Sequence, residues 1–311
     1  MGTPDFAVPG LVALHASGFD IAGVVTAPDR PSGRGLRVQP SPVSVAAHGL
    51  GLPLLQPQRL RDEDFLNELA AWKADLFVVV AFRMLPQVVW AMPPLGSLNL
   101  HASLLPHYRG AAPIHWAVVR GETETGLTTF RIEKDLDTGL IYLQERVSIP
   151  DDWTTGQLHD DLSQRGAGLL VHTLKLLASG QAMPVPQPAA QPDAFYARKI
   201  TPEDAHIDWH RSREALYHHI RGFSPWPAAW TRLGDQQLKI YRAARTDDLA
   251  PLAPPGQFRL SGGRWLVACA DGWLDLLEVQ LEGRRRMPAV ELMRGLRIDG
   301  GQLGGDNVGD R

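Results

Sequence analysis

The chain has 311 residues, 44 % of them hydrophobic and 21 % charged, with a formal net charge of −3. That composition suits a globular protein long enough for two domains and excludes a disordered or low-complexity chain. The near-neutral balance does not mark a nucleic-acid binder, although local basic patches decide that more than the sum does; no run reaches the ~18 apolar residues of a membrane span, and no signal peptide is expected, because no basic region followed by an apolar core is seen at the start.

In chain order, residues 1–6 read as a loop, 9–14 as a helix and 21–26 as a buried strand. A polar loop rich in glycine, proline and arginine is expected over 27–42, then a helix over about 43–48 and a short strand near 50–55. Phe65, Leu66, Leu69 and Trp72 recur at helical spacing within 62–73. Residues 75–81 are apolar on both faces, as a strand inside a parallel sheet must be. A short helix near 87–91 and a strand over 96–101 follow, and a long helix runs from about 156 to 178. Strands alternating with helices predict an α/β fold with a doubly wound, mostly parallel sheet. Residues 1–182 form this expected domain. The proline-rich stretch 183–198 reads as a linker.

Beyond it the pattern turns to alternation over 237–241, 264–268 and 273–279, separated by glycine-rich turns. Residues 199–298 are therefore read as a smaller β-rich domain, an OB-like barrel, and 299–311 as a disordered tail. Cys269 is the single cysteine, which excludes an internal disulfide and fits a reducing cytoplasm. Set between Ala268 and Ala270, it reads as a small buried hydrophobe rather than a nucleophile.

Three segments carry polar chemistry. Asn99 and His101 lie two apart on one strand, so their side chains share a face, at the end where open α/β sheets place ligands. Spacing alone leaves them either functional or a satisfied structural pair. The run 103–114, with its prolines and small residues, makes a fixed loop that either presents backbone groups to a flat ligand or merely connects. The segment 133–139 places Asp135 and Asp137 in a turn ending in Thr138-Gly139; a solvated loop or an Asx-turn is the commoner use of such a pattern. A metal site is not expected, because further oxygen ligands are not clustered there.

Together, Asn99-Leu100-His101, the run 103–114 and Asp135-Leu136-Asp137-Thr138-Gly139 resemble the active-site signature of the folate-dependent formyltransferases. Residues 2–7, the loop 27–35, Phe223-Ser224-Pro225-Trp226-Pro227 and Gly283-Arg284-Arg285-Arg286-Met287 narrow the resemblance to members acting on an aminoacyl-tRNA, over about residues 2–294.

The resemblance implies a monomeric cytoplasmic enzyme of translation initiation, without a metal. It implies that 10-formyltetrahydrofolate donates to the amine of methionyl-initiator tRNA. Asn99, His101 and Asp137 are then the catalytic residues. Ser103, Leu104, Leu105 and Pro106, with Phe82, Arg83, Met84, Leu85 and the backbone around Asp135, are the expected folate site. Arg30, Arg34 and Arg37, with Arg284, Arg285 and Arg286, are the expected phosphate contacts to tRNA, Arg34 foremost.

Two departures stand out. The family has a β-strand ahead of the Gly2-Thr3-Pro4 loop, whereas this sequence opens on the loop; unpaired backbone on the neighbouring strands and a translation start upstream of Met1 are expected. Arg83 occupies a position where many relatives have glycine, and its side chain either lines the folate pocket or turns outward. Acceptors such as a purine precursor or an amino sugar, or hydrolysis of the folate, are alternatives that keep the chemistry. The second domain speaks against the first and the arginine-bearing loop against the others. A dinucleotide-binding oxidoreductase is disfavoured because no Gly-x-Gly-x-x-Gly follows a strand. A non-catalytic RNA binder is disfavoured by the intact Asn99, His101 and Asp137.

Overall fold

The computed structural model describes residues 1–32, 37–189, 195–247 and 253–304. Two compact units emerge. The first comprises residues 1–110, 124–148 and 159–197; the second comprises 111–123, 149–158 and 198 onwards.

The first unit begins with helix α1 (Val8–Ala16) and strand β1 (Val24–Val25). The stretch expected as a loop contains a small antiparallel hairpin, β2 (Arg30–Ser32) and β3 (Arg37–Gln39). The turn between them, with Arg34, lies outside the described residues. Helix α2 (Pro42–Gly49) starts where sequence chemistry directs: Ser41 Oγ accepts from the Ser44 amide, and Pro42 sits where a missing N–H costs nothing. Strand β4 (Leu54–Leu55) pairs parallel with β1. Helix α3 (Glu63–Ala71) is capped by Asp62, carries Glu63 and Asp64 in its first turn and buries Phe65 and Leu69. Strand β5 (Phe77–Val80), helix α4 (Gln87–Trp90) and strand β6 (Ser97–His101) follow.

The β5–β6 pair is parallel, with Val80 opposite Leu100. After helix α5 (Pro113–Val119), which belongs to the second unit, strands β7 (Glu124–Arg131) and β8 (Ile141–Ser148) extend the sheet antiparallel, in the order β5-β6-β7-β8. The sheet of this Rossmann-like unit thus joins a parallel region to an antiparallel edge. Helix α6 (Thr155–Ala178) buries Leu162, Leu170 and Thr173 along one stripe.

Between β1 and β5, among the described residues, Met1 and Gly2 alone provide strand-like pairing. The Gly2 amide donates to Val25 O, the Val80 amide donates to Met1 O, and the Met1 amine donates to Val78 O at 2.6 Å. Beside them lies an apolar cavity of about 460 Å³, bordered by Leu14, Val24, Trp72, Phe77 and Leu174. Burial pushes the Met1 amine down to about 5.

The stretch expected as a linker is bound along the first unit. Val185 pairs with Ile141, Tyr108 N donates to Phe195 O, and Ala197 N donates to Arg109 O.

The second unit contains helix α7 (Arg213–Gly222), strands β9 (Ala229–Leu233), β10 (Gln236–Arg245), β11 (Gln257–Ser261), β12 (Arg264–Ala268), β13 (Trp273–Leu281) and β14 (Met287–Pro288), helix α8 (Ala289–Leu296) and strand β15 (Gly300–Gln302). The antiparallel order is β15-β11-β12-β13-β10-β9, and a Leu233–Leu303 bridge joins its two ends, so the sheet curls toward closure. Residues 300–303, expected to be disordered, supply an edge strand and that bridge, because β11 needs a partner on its open side; residues 305–311 lie outside the described residues. The core includes Trp265, Leu216, Ile220 and Phe223. Residues 149–158 join this unit through Arg245, which grips both Asp151 and Glu214 and lies 3.8 Å over the Tyr217 ring. Those charge-assisted bonds hold the Asp151 and Glu214 carboxyls below their usual range.

Candidate active site

Strand β6 ends in the site. Alternation along it puts Asn99 and His101 on one face, at the carboxyl edge. His101 is 6 % exposed. Its Nε2 lies 2.9 Å from Tyr108 O, and a carbonyl can only accept, so this nitrogen carries a proton. Tyr108 sits at φ 57°, a left-handed conformation that turns its carbonyl onto the ring. Nδ1 is thereby the nitrogen left open, 3.9 Å from Asp137 Oδ2. That spacing is an ion-pair distance but too long for a hydrogen bond.

Asp137 is positioned from elsewhere. Its Oδ2 accepts from the Gly110 amide at 2.9 Å, and its φ of 54° is also left-handed. Gly139 has to be glycine, because a Cβ there would lie 1.7 Å from Arg131 O. The Asn99 side chain is half-buried and has no hydrogen-bond partner among the described residues. An uncommitted amide shares the strand face of an imidazole whose open nitrogen faces a carboxylate, groups of the kind that can stabilise an oxyanion and move a proton.

The structure treats the expected folate residues unequally. Ser103, Leu105 and Pro106 are buried, and Ser103 Oγ donates to His107 O; Leu105 packs with Phe130 and Ile141. Close packing against β7 turns these side chains inward, so this run offers a ligand its backbone and the half-buried Leu104. Arg83, Met84 and Leu85 instead line an open cleft of about 590 Å³ together with Lys134, the neighbour of Asp135. Phe82 packs on the cluster of Val25, Phe65 and Phe77. Arg83 donates to Gln58 O at 3.0 Å and to Pro57 O, so it lines the cleft while bracing a neighbouring turn.

Both parts of the chain match formyl transferase family models: the formyl transferase model over residues 1–174 and the formyl transferase C-terminal domain model over 199–297. The methionyl-tRNA formyltransferase of Bacteroides fragilis is 45 % identical, covering 96 % of this chain and 94 % of that protein. That of Acidobacterium capsulatum is 47 % identical over 94 % of each. The chain belongs to the formyl transferase family, among the methionyl-tRNA formyltransferases. Among solved structures, an N-formyltransferase from Helicobacter canadensis in complex with folinic acid and dTDP-3-aminofucose superposes with a TM-score of 0.67 at 17 % identity, covering 92 % of this chain and 97 % of that one. That likeness speaks for the fold alone.

Several residues that hold this formyltransferase site escaped the sequence reading. Thr128 Oγ1 donates to Ser103 O at 2.7 Å and accepts from the Leu105 amide and from Gln144 Nε2, which also donates to Leu105 O. Gln187, in the stretch read as a linker, donates to Asp137 O at 2.8 Å and Gly139 O at 3.0 Å and accepts from Arg109. None of the three carries a motif; their signal is a polar side chain in an otherwise apolar or proline-rich run.

Of the expected tRNA contacts, Arg30 and Arg37 fall on the hairpin. Arg284 and Arg285 are exposed, with no side-chain hydrogen-bond or ion-pair partner among the described residues. Arg286 is engaged: it donates to Glu278 at 2.6 Å and lies 4.2 Å over the Tyr241 ring, which offsets part of its charge. Cys269 is 1 % exposed and burial pushes its thiol up to about 12, so it is inert at neutral pH. No group of three or more potential metal-ligating side chains exists, and no helix is long and apolar enough to cross a membrane, among the described residues.

Proposed function

We propose that this enzyme transfers the formyl group of 10-formyltetrahydrofolate to the α-amine of methionyl-initiator tRNA, as a monomer in the cytoplasm. The convergence of Asn99, His101 Nδ1 and Asp137 at the carboxyl edge of β6 carries the reading. The acceptor amine attacks the formyl carbon, and a tetrahedral oxyanion forms. The Asn99 amide donates to that oxygen, with protonated Nδ1 as a second donor. Asp137 takes the proton of the amine, directly or through a water. The proton passes to folate N10, the N10–carbon bond breaks, and tetrahydrofolate and the N-formylated amine leave. Tyr108 O keeps the ring in one tautomer, which commits Nδ1 to this work. Arg30, Arg34, Arg37, Arg284 and Arg285 hold RNA phosphates, which position the acceptor without reading its sequence.

The test is to incubate the protein with 10-formyltetrahydrofolate and methionyl-initiator tRNA and to follow both products. Equal yields of formylmethionyl-tRNA and tetrahydrofolate are expected. Folate consumption without formylated tRNA would move the assignment to another acceptor or to hydrolysis.

A further inference from the structure

The proline-rich stretch after α6 is bound at two places, and both are supports of the candidate site. Val185 exchanges hydrogen bonds with Ile141, each amide donating to the other's carbonyl at 2.8 Å. In the antiparallel register that this pair sets, Gln187 stands opposite Gly139. Pro184, Pro186 and Pro188 hold the backbone around it extended, so little freedom is lost when it binds. The Gln187 amide reaches the turn: its Nε2 donates to Asp137 O at 2.8 Å and to Gly139 O at 3.0 Å, while its Oε1 accepts from Arg109 at 2.5 Å. Carbonyls can only accept and a guanidinium can only donate, so the amide has one orientation. Further along, Tyr108 N donates to Phe195 O and Ala197 N donates to Arg109 O, and a Cβ on Gly110 would lie 2.5 Å from Ala197 O.

Residues 108–110 touch both members of the His101–Asp137 pair. Tyr108 O takes His101 Nε2, Gly110 N donates to Asp137 Oδ2, and Arg109 between them is tied to Gln187. Asp137 itself sits at φ 54°, a left-handed conformation that a residue with a Cβ keeps only where its surroundings impose it. Gln187 Nε2 imposes it by clipping together the two carbonyls that flank Thr138. A shift of about 1 Å would either close the 3.9 Å between His101 Nδ1 and Asp137 Oδ2 into a direct hydrogen bond or open it beyond ion-pair reach. Misplacement on that scale costs up to about 10²-fold in rate where geometry decides the step.

We infer that Gln187 is a positioning residue for the proposed transfer, acting through Asp137 by holding the turn that presents its carboxylate. The inference rests on the formyl-transfer reading above. Its test is single-turnover transfer from 10-formyltetrahydrofolate to methionyl-initiator tRNA in the whole protein, with both substrates saturating and the affinity for each measured by titration. Gln187→Met keeps the length and removes the amide; the rate falls by about 10–10²-fold, and affinity for each substrate changes by less than about twofold. Gln187→Glu keeps an acceptor for Arg109 but sets an oxygen against the two carbonyls, and its rate falls as far. With Asp137→Asn already present, adding Gln187→Met changes the rate by less than about twofold, because the group being positioned is gone. A Gln187→Met rate within about twofold of the unaltered enzyme would overturn the inference. Recovery in Gln187→Glu would overturn it as well, since the tie to Arg109 would then be the residue's whole use. Losses that multiply in the double variant, or a rate restored by more substrate, would assign Gln187 to folding or to substrate binding and overturn it too. Absence of transfer in the unaltered protein would remove the formyl-transfer reading, and the inference with it.

Discussion

At His101 the chemistry depends on which ring nitrogen is spoken for. Tyr108 O takes Nε2, and Nδ1 faces Asp137 at a distance that leaves room for a reacting group. In the proposed mechanism Asn99 donates to the oxyanion, so Asn99→Ala is expected to lower the transfer rate by about 10²–10³ with little change in folate affinity; stopped-flow rates beside equilibrium binding separate the two. His219, in the second unit, is a structural counterpart. Burial, with Arg211 3.3 Å from its Nδ1, pushes it down to about 4 from 6.5. Below pH 6.5 the unfolded chain takes up a proton that the folded chain refuses until pH 4. Stability therefore falls as pH drops through that window, by up to about 3 kcal/mol. Urea midpoints at pH 7 and pH 4.5 check this, and His219→Gln should flatten the difference. Alternation placed Asn99 and His101 on one face of a strand end because that pattern is local, whereas their proposed roles and that of Asp137 came from the family resemblance. Gln187 was not legible, because its partners lie 48 and 50 residues away, beyond any local pattern.

Among elements, β7 and β8 had no forecast. Thr125, Thr128 and Thr129 make β7 look half-polar, yet all three are buried, and the hydroxyls of Thr128 and Thr129 are satisfied internally: Thr129 shares a 2.9 Å hydrogen bond with Thr173 on α6. Sequence reads the polarity and misses the pairing. Thr128→Val is expected to loosen the loop 103–106 and lower folate affinity, while binding of methionyl-tRNA stays unchanged; titration with each substrate distinguishes these. The hairpin β2–β3 was hidden by the same glycine and proline signals that predict a loop.

For the whole molecule, the boundary between α/β and β-rich halves follows the change of hydrophobic period from helical to alternating. The membership of 111–123 and 149–158 in the second unit does not, because α5 is apolar nearly throughout and shows no face that marks its partner, and the Arg245–Asp151 pair spans 94 residues. The arginines proposed to meet RNA predict a salt-dependent affinity. Arg284→Ala with Arg285→Ala should weaken methionyl-tRNA binding and reduce its log–log salt slope by about 2, whereas Arg286→Ala, already paired with Glu278, should change it by less than about 1.

If His101 Nδ1 works on the reacting atoms, single-turnover formyl transfer to methionyl-initiator tRNA at saturating 10-formyltetrahydrofolate is slower in His101→Ala than in the unaltered enzyme by about 10²–10³, with both substrates still bound. An unchanged rate in the folded variant would remove His101 from the reaction.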